Sequence, residues 1–285
     1  MRKAILLVLG SIVCVQVGSS FAKNLFPLTG PLVMVWLRVT CAGVLLLLAV
    51  RPKLRGHSRK DWLVLLLYSV TLITMNATFY QAIARIPIGL AVTIEFLGPL
   101  GVALVKSRGL RDLIWVGLAG LGVALLGGSP HSLTWSGVGF SLLAAACWAG
   151  YILVTPHVGL RWPGSQAVVC ASILGAVVLA VPVLSQYAPL LANPRIWLGG
   201  LAVGLLSSVI PYAFELNALR HLDQRIFSIM MSLEPAMAAL FAFLILSEHL
   251  TATDLVAMTC VIAASVGVTW TAGRGRVRKV RGPTD

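Results

Sequence analysis

Long apolar runs separated by short polar breaks dominate the chain. The runs cover 4–22, 31–50, 62–84, 88–105, 112–128, 136–154, 165–185, 196–219, 226–246 and 253–272. A membrane-spanning helix needs about 20 mainly apolar residues, whereas a barrel strand needs only about 10. In hydrocarbon every backbone N–H and C=O must find a partner within the segment, which selects helix. The pattern therefore predicts an all-α integral membrane protein of ten transmembrane helices. The weakest breaks are Pro87-Ile88-Gly89 and Leu222-Asp223-Gln224.

Composition agrees with that pattern. Mean hydropathy is +0.93, and 58% of the 285 residues are hydrophobic against 11% charged. A soluble domain carries about 25% charged residues, so much of the exterior must face lipid. The net charge of +13 would suit nucleic acid, but its distribution points elsewhere. With the N-terminus in the cytoplasm, one face holds Arg2, Lys3, Arg51, Lys53, Arg55, Arg59, Lys60, Lys106, Arg108, Arg111, Arg161, Arg220, Arg225, Arg274, Arg276, Arg278, Lys279 and Arg281, 18 of the 22 basic residues. The other face holds Lys23, Arg85 and Arg195, and Arg38 lies inside a span. This is the asymmetry of the positive-inside rule. It predicts both termini in the cytoplasm and no nucleic-acid partner.

Met1–Ala22 has the layout of a signal peptide, with Arg2-Lys3, an apolar run and small residues at its end. The internal repeat instead requires it as the first span. A shift of 136 residues carries Gln81-Ala82-Ile83 onto Asn217-Ala218-Leu219, and Phe96 to Leu104 onto Ser232 to Leu240. Ala82, Leu97, Pro99, Ala103 and Leu104 then meet identical residues. The halves are 1–130 and 131–273, followed by a basic cytoplasmic tail, 274–285. Five spans per half is odd, so the second half enters the membrane with opposite orientation. Such inverted repeats characterise secondary transporters, whose sites lie near the midplane at the repeat interface. Pro99 and Pro235, at corresponding positions, interrupt the helical ladder and free backbone carbonyls. Pro211 is a third candidate break.

These residues resemble the drug/metabolite transporter superfamily, of the EamA type with two five-helix repeats. The likeness runs through Ser232 to Leu240 and on through Ser247-Glu248-His249-Leu250-Thr251. Ile94 to Leu100, Ser207 to Tyr212 and Met231 to Ala236 are similar to the amino-acid-exporter branch. The resemblance implies efflux of small amino acids such as threonine and homoserine across a bacterial inner membrane, coupled to protons, with no cofactor. Export of drugs, or of another metabolite, is the alternative within the superfamily.

Ionisable groups inside spans are costly and mark functional sites by default. Four qualify: Arg38, Glu95, Glu215 and Glu234. Arg38 and Glu95 lie each about 10 Å below the outer surface, Glu234 about 12 Å from the inner one, and Glu215 nearer its span's inner end. Glu95 maps onto Met231, and Glu234 is three residues further along the same helical face. Both carboxylates can then line one central cavity. Desolvation there favours the protonated form, so Glu95 or Glu234 can carry a coupling proton or hold a substrate ammonium. The competing reading is an Arg38–Glu95 ion pair. Arg38 can also clamp a substrate carboxylate.

Asn76, Gln81, Gln16 and Asn217 can offer hydrogen bonds to a zwitterion or join helices to one another. Phe79, Tyr80, Phe96, Tyr212 and Phe214 would suit a lipophilic cation. The pairs Gly120 with Ala124, Ala145 with Ala149 and Ala263 with Gly267 read as helix-packing positions. Trp62, Trp135, Trp162 and Trp197 read as interface anchors. The tail can hold anionic lipid headgroups. Cys14, Cys41, Cys147, Cys170 and Cys260 fall inside spans with no CxxC pair, and read as packing residues rather than disulfides or a metal site. All five histidines (His57, His131, His157, His221, His249) sit in loops or span edges, with no HExxH motif. An intramembrane enzyme is not expected. The chain is expected to act as a monomer.

Overall fold

The computed structural model describes the backbone of residues 2–106, 113–127 and 134–280, in which every regular element is helical. In order these are α1 (Arg2–Ala49), α2 (Arg59–Ile83), α3 (Ile88–Glu95), α4 (Leu97–Lys106), α5 (Leu113–Gly127), α6 (Trp135–Gly159) and α7 (Gln166–Tyr187). A short 3-10 turn (Ala188–Ala192) leads to α8 (Pro194–Gly204), a π-helical turn (Leu205–Val209) and α9 (Ile210–Leu219). The chain finishes with α10 (Gln224–Met231), α11 (Glu234–Leu246) and α12 (Ala252–Val280). Arg108, Arg111, His131, the side chain of Arg225, the tail side chains from Arg274 to Arg281 and the 130/131 boundary lie outside the described residues.

Among the described residues, eight helical stretches are long and apolar enough to cross a membrane, and α5 is a shorter apolar helix. Large apolar side chains on their outer faces, such as Leu48, Leu63, Val181, Leu198 and Leu244, are more than half exposed. A water-facing surface would not carry so much apolar area; this one faces hydrocarbon.

α1 has 48 residues, about 70 Å at 1.5 Å per residue and more than twice the hydrocarbon thickness. It is two helical arms joined at Gly30, whose φ of 68° and ψ of 163° are non-helical. Pro31 follows, and its missing N–H and ring break the ladder at the carbonyl of Pro27. The Thr29 hydroxyl lies 3.1 Å from both the Leu25 and Gly30 carbonyls, supplying a donor at the break.

α1 runs through the middle of the assembly, against α7, α8, α9, the π turn and α11; α2 packs on α6 and α7, and α3 packs on α6 and α11. Close crossings fall at small residues. A Cβ at Gly98 in α4 would overlap the Ala145 carbonyl of α6, and one at Gly267 would meet the Trp115 ring. Gly120, read above as a packing position, faces open space. Trp162 is fully buried rather than at an interface. His57 stacks on it at 3.8 Å, and its indole N–H donates to the Asp61 carbonyl at 3.3 Å.

That indole belongs to a clasp at one end of the bundle. Asp61 accepts from Arg161 Nη1 at 2.8 Å and closes a capping box with Ser58 at the start of α2. At the opposite end of α2, Lys23 pairs with Glu248 and donates to the Ile86 carbonyl, while the Ile88 N–H donates to Glu248. Each clasp joins residues before 100 to residues after 150.

The helix ends repeat as well. The 136-residue shift that carries Ile83, the end of α2, onto Leu219, the end of α9, also carries Ile88–Glu95 onto Gln224–Met231. The connecting turns match. Arg85 and Ile86 donate to the Ala82 carbonyl, and His221 and Leu222 donate to that of Ala218.

Candidate functional site

Two broken helices carry two of the carboxylates. Glu95 is the last residue of α3, and Pro99 removes the N–H that would bond its carbonyl. Glu234 is the first residue of α11, where Pro235 does the same to the Met231 carbonyl. Both side chains are buried, at 7% and 8% exposure. Among the described residues, no hydrogen bond or ion pair reaches the Glu95 carboxylate.

Arg38 is buried at 9% exposure on the second arm of α1. It does not ion-pair with Glu95, which interacts with it only through space. Its Nη2 donates to the Ser207 carbonyl at 2.8 Å and its Nε to the Ser208 hydroxyl at 3.1 Å. The origin of this contact is local. Pro211 stands four residues after Ser207 and has no N–H to give its carbonyl. The Ile210 N–H reaches back five residues to Leu205, forming the π turn. The Ser207 carbonyl is thereby left for the guanidinium. The guanidinium carbon also lies 5.5 Å from the centre of the Tyr80 ring.

Glu215 accepts from the Ser11 hydroxyl at 2.6 Å, so α1 holds it within the bundle. Glu234 lies in electrostatic range of both Glu215 and Glu95, and Tyr212 of Arg38, Glu215 and Tyr151. The Tyr68 and Tyr151 hydroxyls meet at 3.5 Å. One cation, three carboxylates and a set of tyrosines therefore share one neighbourhood.

Three of the candidate amides have local partners. Asn76 and Asn217 each donate to the carbonyl four residues back, Leu72 and Ala213, at 2.8 and 2.7 Å. Gln81 accepts from Arg85 at 2.6 Å. Ser11, Tyr68 and Tyr151 join the neighbourhood without any mark in the sequence pattern, and Ser207 and Ser208, noted above only within the Ser207 to Tyr212 stretch, join it through Arg38. Several buried oxygens have no hydrogen-bond partner, among them those of Gln16, Ser19, Ser20, Ser207 and Tyr80.

Residues 135–270 match the EamA-like transporter family. The chain is 38% identical over 273 residues to the threonine/homoserine exporter RhtA of Salmonella typhimurium, covering 95% of this chain and 92% of the relative. The chain belongs to the EamA-like transporter family. The Escherichia coli K12 exporter of the same name is 38% identical over 275 residues, covering 94% of this chain and 91% of its own. A protein crystal structure 18% identical to the chain covers 95% of it and 98% of its own length, with a TM-score of 0.59, and shares the fold. As an EamA-like transporter the protein is not an enzyme.

Proposed function

We propose that this EamA-like transporter exports small amino acids, threonine and homoserine among them, across a bacterial inner membrane by proton antiport. The observation that carries this reading is the gathering of Arg38 with Glu95, Glu215 and Glu234 beside two broken helices. A zwitterion has one charge for each kind of partner, and the spare carboxylates suit a proton that competes with the substrate ammonium. The exporters at 38% identity suggest the passenger.

The mechanism is alternating access between two inverted five-helix repeats, 1–130 and 131–273, with both termini in the cytoplasm. Counting each arm of α1, and α5, as a span gives ten. The matching helix ends and turns at a 136-residue shift support the repeat, and the split of basic residues supports the orientation. The two clasps suit alternation, since each joins one half to the other and one must open while the other holds. The protein works as a monomer, with its basic tail against anionic headgroups.

The test is efflux of threonine and homoserine, and resistance to them, in cells lacking their own exporters. Expression should raise both. Unchanged amino-acid efflux with raised efflux of lipophilic cations would instead favour a drug exporter, a reading that the excess of carboxylates over Arg38 and the nearby tyrosines also accommodate.

A further inference from the structure

We infer that Arg38, Tyr80, Ser207 and Ser208 form the subsite that takes the carboxylate of the transported solute; this rests on the amino-acid exporter reading. Arg38 is a buried cation whose direct partners are neutral, the Ser207 carbonyl and the Ser208 hydroxyl. Among the described residues no carboxylate lies within 4 Å of it. Glu95 acts on this buried cation only through space, and a buried charge without a directly bonded anionic partner is disfavoured; a substrate carboxylate supplies that partner. The guanidinium has five N–H donors in a planar fork that matches a carboxylate bidentately. Two contacts leave most of them free.

The surrounding hydroxyls point the same way. The hydroxyls of Ser19, Ser20 and Thr40 are also buried without a partner, whereas other buried hydroxyls return their proton to the carbonyl four residues back. Ser69, Thr93 and Ser141 do so at 2.7, 2.7 and 3.0 Å. Ser207 Oγ and the Tyr80 hydroxyl, both on residues next to Arg38, are buried with no partner at all. Tyr80 is 0% exposed. A buried hydroxyl left unpaired carries a desolvation cost that an incoming acceptor relieves. Gly18 of α1 lies directly against Ser207 Oγ, and any side chain there would overlap it. A cation and two unused hydroxyl donors, walled by a glycine, make an anion subsite. Glu95, Glu215 and Glu234 remain for the ammonium end and the proton.

The experiment uses the full chain in proteoliposomes. It compares uptake of homoserine with that of the amino alcohol in which its carboxylate is reduced to CH2OH. Wild type should prefer the amino acid. Tyr80→Phe and Ser207→Ala, which remove only a hydroxyl, should each raise the KM for homoserine about tenfold and that for the amino alcohol much less, narrowing the preference. Arg38→Lys keeps the charge but loses the fork, and should erase most of the preference. The inference is overturned if Tyr80→Phe and Ser207→Ala both keep wild-type discrimination, or if wild type moves both compounds equally well. If wild type moves no amino acid, the exporter reading fails and takes this subsite with it.

Discussion

Lys23 Nζ lies 2.5 Å from Glu248 Oε1, and this pair ties together three segments that are far apart in the chain. The same ammonium donates to the Ile86 carbonyl, and the other carboxylate oxygen accepts from the Ile88 N–H at 2.9 Å. Glu248 thus caps α3 from 160 residues away. The pair is partly exposed, so its charge alone contributes about 0.5–1 kcal/mol. Glu248→Gln keeps an acceptor for Ile88 and should cost about that much. Glu248→Ala also strips the helix cap and should cost about 1 kcal/mol more. Thermal unfolding in detergent checks the order; equal losses would mean that the cap contributes nothing.

Pro211→Ala separates stability from function. The restored N–H competes with Arg38 for the Ser207 carbonyl, 2.8 Å from the guanidinium. Removing a proline from a helix interior favours the helix by up to about 3 kcal/mol. The variant should therefore unfold no earlier than wild type, yet its KM for a carboxylate substrate should rise several-fold. Lost stability with unchanged KM would mean that Pro211 does not free the Ser207 carbonyl for Arg38.

Two glycines of α4 make a controlled pair. At Gly98 a Cβ would overlap the Ala145 carbonyl, whereas at Gly101 it would meet nothing within 4 Å. Gly98→Ala should destabilise by about 1–3 kcal/mol, because backbone on backbone cannot yield. Gly101→Ala should be neutral or stabilising by about 0.5–1 kcal/mol. Denaturant or heat titration of both variants distinguishes them.

Backbone conformation supplies a second pair. Gly30 stands at φ 68°, ψ 163°, with open space around it. Gly30→Ala meets no clash but should still cost about 1–3 kcal/mol, since that region is nearly closed to other residues. Ser247 ends α11 at φ 55°, ψ 33°. Ser247→Gly should gain stability, by about 1 kcal/mol.

The spans were legible because hydrocarbon solvent makes apolar length the dominant signal, and the two weak breaks recur as turns closed on Ala82 and Ala218. The join between the first two spans is sharper than hydropathy suggested: helical geometry runs through Phe26 and Leu28 and yields only at Gly30, beside Pro31. Within the site, Arg38, Glu95, Glu215 and Glu234 stand out because charge is rare at that depth. Their partners do not, since the Ser207 carbonyl becomes available only through a proline on a different helix. Asn76 and Asn217 each give one amide N–H to the carbonyl one turn back, a local partner that residue type alone does not reveal. Trp162 looked like an interface residue from its place at a span end, but its neighbours His57 and Trp62 enclose it. The Lys23–Glu248 pair leaves no local trace.

In the proposed antiport cycle the buried carboxylates couple substrate to protons. Its most direct test is amino-acid transport driven by a pH gradient in proteoliposomes of wild type, Glu95→Gln and Glu234→Gln. At least one variant should lose gradient-driven transport and its pH dependence while still folding. Wild-type rates with wild-type pH dependence in both variants would contradict it.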